Sequence, residues 1–352
     1  MGKIRNHFWK NSIFLVVYLL INSHLAFAQL SEPTDNLENV KRMDIYLYKA
    51  YDVETKKDAV TFYKKQQTLA RTVIEYDRNG NEVLRSYYHP ATNDVQESYV
   101  YEYDTNNQLI QEQYVLKGKM LGGKTVYSYD KQGRKDKIVV YSSKEEIKDR
   151  MQFEYDSNGN LIAEKKQNFV GAVFKEIQYK YDERNNQIEK RNVKAFLVKN
   201  NEPYHEIQTF DDSNRLISRT HYDDKDSVTW KYTARYDNKN RLVEEQTVNG
   251  YGKTTAYGIY AYNKKGLLES SYTFDMQEKS PPLRIEYKYD KNGLNIVRDI
   301  YVQETTYSPK QKTVPTITKR YYYDKNGNWY RWWEVNHTEN TQGIAERKIV
   351  YF

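Results

Sequence analysis

Ten times along this chain a tyrosine, once replaced by Phe210, is followed by Asp or Asn and, three residues later, by glycine or asparagine. The Asp-position residues are Asp77, Asp104, Asp130, Asp156, Asp182, Asp211, Asp237, Asn263, Asp290 and Asp324, spaced by 27, 26, 26, 26, 29, 26, 26, 27 and 34 residues. A period in this range marks an array of one supersecondary unit, so the fold must be one that stacks copies of it. The third residue on is Gly80, Asn107, Gly133, Gly159, Asn185, Asn214, Asn240, Gly266, Gly293 or Gly327. These two residue types enter the left-handed backbone region at least cost. A type I turn closed by a left-handed residue is a common three-residue hairpin connection. Asp at its first position can accept hydrogen bonds from backbone N–H groups two residues on. Each copy therefore reads as the tip of a β-hairpin.

The flanks agree. Before the Asp, alternate positions are aromatic, as in Tyr101 and Tyr103, Tyr127 and Tyr129, or Phe153 and Tyr155, with polar residues such as Glu102, Ser128 and Glu154 between them. Period two over five residues is a half-buried strand. After the turn, Leu109, Leu161, Leu216, Leu242, Leu268 and Trp329 are expected across from the tyrosine before the Asp. The next position is also usually apolar (Ile110, Ile162, Ile217, Val243), which leaves open what covers the second face of the sheet.

The segments YDSNGNLI (155–162), FDDSNRLI (210–217) and YDNKNRLV (236–243) resemble the YD repeat of the RHS family, over roughly residues 70–330. The resemblance implies an antiparallel sheet of successive hairpins that curls into a spiral. In the large relatives, the toxin cocoons and the teneurins, that spiral closes into a shell. Ten repeats are far fewer than a closed shell uses. The fold expected is therefore all-β: an antiparallel meander of about ten hairpin repeats forming an open curved or spiral sheet. The family's self-cleaving core carries an Asp-Pro signature, and no Asp-Pro occurs here, which disfavours a toxin released by self-cleavage.

Residues 1–28 read as a secretory signal. Lys3, Arg5 and Lys10 form a basic leader, Ile13 to Ile21 an apolar run too short to span a bilayer, and Ala26-Phe27-Ala28 a small-x-small cleavage site. Residues 29–63 read as a linker and capping strand, with one degenerate tip at Tyr51-Asp52, and 64–352 as the repeat array. There is no cysteine for a disulfide or lipid anchor. This points to a secreted, periplasmic or cell-surface location, with no transmembrane segment in the mature chain. Beyond the leader, basic residues outnumber acidic ones by 52 to 48, with signs interspersed. That pattern argues against a nucleic-acid partner.

The chain carries no recognisable enzymatic motif; its four histidines past the leader, His89, His205, His221 and His337, sit in separate repeats or linkers. Asp77 to Asn81 and Asp156 to Asn160 echo half a calcium loop but lack the third oxygen ligand before the glycine, so no metal and no cofactor is expected. The unusual component is tyrosine, 36 in all. The rings before each Asp read as core, while others can form a binding surface for a glycan or a cell-surface protein. The densest run is Trp329-Tyr330-Arg331-Trp332-Trp333. Strict alternation places Trp329 and Trp333 on one face and Tyr330 and Trp332 on the other, making Trp332 the exposed anchor if the first pair lies beneath the array. Tyr307, in the long gap before the last tip, is a further candidate. The reading is a non-enzymatic binding protein of the bacterial envelope. A purely structural surface component and a cryptic carbohydrate-active enzyme are the alternatives.

Overall fold

The computed structural model describes residues 35–56, 59–117, 122–195, 205–275, 280–302 and 314–352. The leader and Tyr307 lie outside these. The described residues form twenty-two strands and no helix, each strand antiparallel to its neighbours in sequence.

The array is not open. Strand β1 (Val40–Lys56) pairs on one side with β2 (Ala59–Tyr76) and on the other with the last strand, β22 (Thr341–Tyr351), from Val40↔Tyr351 to Ala50↔Gln342. The sheet therefore closes into a 22-strand barrel, and the expected open curved or spiral sheet is corrected. The physical reason lies in the N-terminal segment. It lacks the repeat and reads as a cap, yet it satisfies the backbone groups of both ends of the array at once, and closure removes the exposed edges that an open sheet must protect. Tyr51-Asp52 falls inside β1 rather than at a turn.

Each of the ten tips has one geometry. The residue three after the Asp has φ between 60° and 86° in every copy. One Asp or Asn side-chain oxygen accepts the N–H groups two and four residues on, at 2.8–3.1 Å, from Asn79 and Asn81 at the first tip to Asn326 and Asn328 at the last. Beyond each tip the register slips by one residue, as between Glu154↔Ala163 and Tyr155↔Leu161. This bulge explains the two apolar positions in a row: Leu161 faces Tyr155, and Ile162 is the extra residue, exposed.

Repeats are clamped to one another by a contact the spacing does not reveal. The hydroxyl of the tyrosine before the Asp donates to the backbone carbonyl of the first strand residue after the previous tip. Eight tyrosines do this, from Tyr103 to Glu82 through Tyr323 to Asn295, at 2.7–3.0 Å. These tyrosines share one face of the sheet. The three clusters of buried apolar residues, around Ile285, Met43 and Trp332, lie on that same face.

Candidate functional site

The barrel closes beyond the tenth tip, and the aromatic run of the sequence sits there. Strand β20 (Ile317–Tyr323) pairs with β21 (Trp329–Asn336), and the bulge falls at Tyr330: Tyr323 opposes Trp329, but Tyr322 opposes Arg331. The extra residue shifts the phase of the alternation. Trp329 and Trp332, not Trp329 and Trp333, therefore share the tyrosine face, where both are buried against Tyr321 and Ala345. The Lys319 ammonium stands 4.0 Å from the Trp332 ring centroid, and the Arg347 guanidinium 3.4 Å from that of Trp329. Trp332 is thus not an exposed anchor. Tyr330 is 40% exposed, and Trp333 lies half-buried on the second face, its indole N–H donating to Gln342 at 3.1 Å.

On that second face a single row of cross-strand partners crosses the seam. Tyr322 opposes Arg331, Arg331 opposes Glu346, Glu346 opposes Tyr46, Tyr46 opposes Arg71, and Arg71 opposes Tyr88 on β3 (Glu82–Tyr88). Arg331 pairs with Glu346 at 3.0 Å, and Arg71 lies 5.3 Å and 4.2 Å from the ring centroids of Tyr46 and Tyr88. Tyr46 and Tyr48 stack with centroids 5.9 Å apart and planes within 2°.

A projecting arm lies on the middle of this row. Beyond Ala50, β1 has no partner in β22, and the described residues of 51–64 pair across the ribbon, from Tyr51↔Lys64 to Lys56↔Ala59. Register breaks after Leu47, Lys49 and Tyr51 bend the ribbon back over the second face. There the Tyr63 hydroxyl donates to Glu346, Lys65 pairs with Glu346 at 3.1 Å, and Lys65 packs on the Tyr48 ring at 4.2 Å. Ile344, beside Tyr48 in the next row, is wholly buried. Burial opposes charge on Glu346, yet hydrogen bonds from Tyr63 and Lys65 and the Lys65 and Arg331 charges leave its carboxyl below the ordinary value. Burial and the Glu346 carboxylate push the Tyr63 hydroxyl well up, so it stays a donor.

Two polar clusters elsewhere escaped the sequence. Glu206, buried on β12 (His205–Phe210), opposes His221 on β13 (Leu216–Tyr222); His221 Nε2 lies 2.8 Å and Arg219 Nε 3.3 Å from its carboxylate. Glu245, on β15 (Leu242–Asn249), accepts from Tyr232 at 2.9 Å and from Tyr260. The only available signal was a histidine or glutamate at a position that strand alternation turns toward the tyrosine face. The two glutamates stand three strands and four residues of register apart, on the order of 20 Å, rather than facing each other across one reacting bond. At the tips the Asp oxygens are engaged by the turn itself, and in several by the side chain four residues on, as with Arg215 on Asp211 and Asn160 on Asp156.

No family model matches the chain, and no curated protein matches its sequence. Among solved structures it is similar to the TcdB2-TccC3 complex, at 12% identity and a TM-score of 0.31, over 83% of this chain and 21% of that one. The Photorhabdus luminescens Tc holotoxin pore matches at 14% identity and a TM-score of 0.29, over 87% and 19%. The chain thus spans about a fifth of the length of these toxin chains. A porin-like protein from Bacteroides uniformis matches at 9% identity and a TM-score of 0.30, over 91% and 100%.

Proposed function

We propose that this chain is a non-enzymatic binding protein of the bacterial envelope, which engages a glycan or a protein through the aromatic and polar surface at the barrel seam. The observation that carries the reading is the exposed Tyr330 ring, 6.5 Å from the half-buried Tyr322, on a face that also holds the half-buried Trp333 and a row of tyrosines and ion pairs. Large rings left in water next to fixed polar groups mark a recognition surface more than a core. The envelope location rests on the N-terminal leader.

The wall chemistry fits a barrel bathed in water on both sides. Among the described residues no helix is long and apolar enough to cross a membrane. A lipid-facing β-barrel wall carries an apolar band about 25 Å tall. Here the second face bears Lys180–Glu189, Arg235–Glu244 and Lys288–Asp299 pairs at 2.7–2.9 Å. The tyrosine face bears Glu206, His221, Arg298 and Lys319.

The test is a glycan-array and cell-wall pull-down screen with the chain from Gln29 onward, run beside the Tyr330→Ala/Trp333→Ala variant. A ligand retained by the parent and lost by the variant, at unchanged melting temperature, supports the reading. Retention by both moves binding away from the seam, and a screen with no ligand favours the purely structural alternative.

A further inference from the structure

We infer that the seam row is a track for a linear acidic polysaccharide, a sugar chain bearing carboxylates. The inference rests on the binding reading above and narrows its ligand. Three observations carry it. The first is shape. The row Tyr322–Arg331–Glu346–Tyr46–Arg71–Tyr88 runs across six strands, on the order of 24 Å at the usual strand spacing. The arm lies on its middle, where Tyr63 meets Glu346 and Arg331 and Lys65 meets Glu346. An extended polymer reaches the row on both sides of the arm better than a compact small molecule does.

The second is charge. Around the row, Arg42, Lys65, Arg71, Arg331 and Lys348 outnumber Asp44, Glu75 and Glu346 by five to three. Two of the three carboxylates take two cations each, while Glu75 takes Arg42 at 2.7 Å, a cation that Asp44 also holds. Asp44 takes both Arg42 and Arg71, at 2.9 Å each, and Glu346 takes both Lys65 and Arg331. Four paired cations for three carboxylates, with the exposed Lys348 over the Tyr46 ring, leave a positive surplus that a carboxylate-bearing chain completes, with planar guanidinium groups suited to carboxylates. The third is the interleaving of rings with those charges. Tyr322, Tyr46 and Tyr88 recur along the row, and Arg71 is packed between Tyr46 and Tyr88. A flat apolar ring matches the C–H face of a sugar while the neighbouring cation meets its carboxylate. The stacking of Tyr46 on Tyr48 holds that geometry before any ligand arrives, which lowers the ordering cost of binding.

The experiment uses the chain from Gln29 onward and titrates it by calorimetry with polygalacturonate, with neutral dextran, and with single-stranded oligothymidylate as a charge-only control. Binding to polygalacturonate is expected, weakened by added salt, and weakened about tenfold by either Tyr330→Ala or Lys348→Glu, both exposed positions. Dextran is expected not to bind. Equal binding of oligothymidylate and polygalacturonate, untouched by Tyr330→Ala, overturns the inference, because the surface is then a non-specific polyanion binder. Binding of dextran alone, or of a protein from the wider screen, with Tyr330 required, overturns the acidic-sugar inference and leaves the proposed function standing. No seam-dependent binding of anything overturns both.

Discussion

The asparagine that stands in for glycine at four tips does a second task. Asn107, Asn185, Asn214 and Asn240 each hold positive φ, and each side-chain oxygen accepts a hydrogen bond from the preceding tip: from Asn79, Asn160, Asn186 and Arg215. Glycine supplies the conformation alone; asparagine adds a link along the rim. At Gly159, with φ +86°, a β-branched side chain is strained whatever the space around it. Gly159→Val should lower stability by about 1–2 kcal/mol or more, while Ser157→Val, at an exposed right-handed site, should not. Equal melting temperatures would refute the turn geometry. Phe210 is a natural deletion of the clamp, since it has no hydroxyl to reach the carbonyl of Gln187. Phe210→Tyr should therefore raise stability by roughly 0.5–1.5 kcal/mol, read from denaturant midpoints. The tip carboxylates also set an acid limit. The side-chain hydrogen bond from Arg241 and backbone N–H groups hold Asp237 down at about 2, and Asp156, Asp182 and Asp211 are lowered first by Asn160, Asn186 and Arg215. A depressed carboxyl contributes stability that is present above its unfolded value, about 3.9, and lost as pH falls toward the folded one. The melting temperature should hold from neutral pH to about 4 and fall between about 4 and 2. A flat profile down to that limit would show the tip bonds to be energetically silent.

At the scale of elements, one bulge decides what the C-terminal aromatic strand does. Were the alternation unbroken, Trp332 would sit beside Tyr330. The inserted residue instead turns Trp332 into the cluster with Tyr321, Trp329 and Ala345. Trp332→Ala should then cost about 3–5 kcal/mol, as deletion of a buried aromatic does. Among molecules that remain folded, ligand affinity should be unchanged. A variant of normal stability and weakened binding would return Trp332 to the surface. The opposite rim shows the same turn chemistry, with a tyrosine before the turn at only two of four tips, Tyr141 and Tyr222. Ser142, Asn168, Asp223 and Asn249 each accept two backbone N–H groups, and Glu145, Gly171, Asp226 and Gly252 close those turns at positive φ. These tips were illegible because only two of the closing residues are of the type that reports a left-handed site.

At the scale of the whole molecule, closure brings the two ends of the described chain together on the rim of the ten tips. The Phe352 N–H donates to the Asn39 carbonyl at 2.8 Å, Arg347 pairs with Asp35, and Asn328 donates to the Asn36 carbonyl. A circular permutant joining residue 352 to residue 35 by a short flexible linker, opened between the exposed Lys131 and Gln132, should keep the fold and melting behaviour. Removal of residues 341–352 should not, because it strips β1 of one partner and exposes two strand edges. A truncated chain that melts like the parent would mean that the seam contributes nothing.

What the sequence determined is local and repeated. A left-handed residue three after an Asp, an alternating strand before it and a leucine across from the tyrosine are each fixed within about ten residues, by sterics and hydrogen bonding the chain carries with it. Ten copies made those rules readable. Closure, the tyrosine-to-carbonyl clamps and the seam row were not readable, because the clamps and the closure join residues 20 to more than 300 positions apart and the row exists only once the barrel has closed. Whether a meander stays open or closes depends on how its accumulated curvature brings the first strand to the last. That is a property of the assembled sheet, which no single hairpin encodes. The repeat thus wrote the wall of this protein, and only the tertiary structure decided that the wall meets itself, and where its aromatic surface lies.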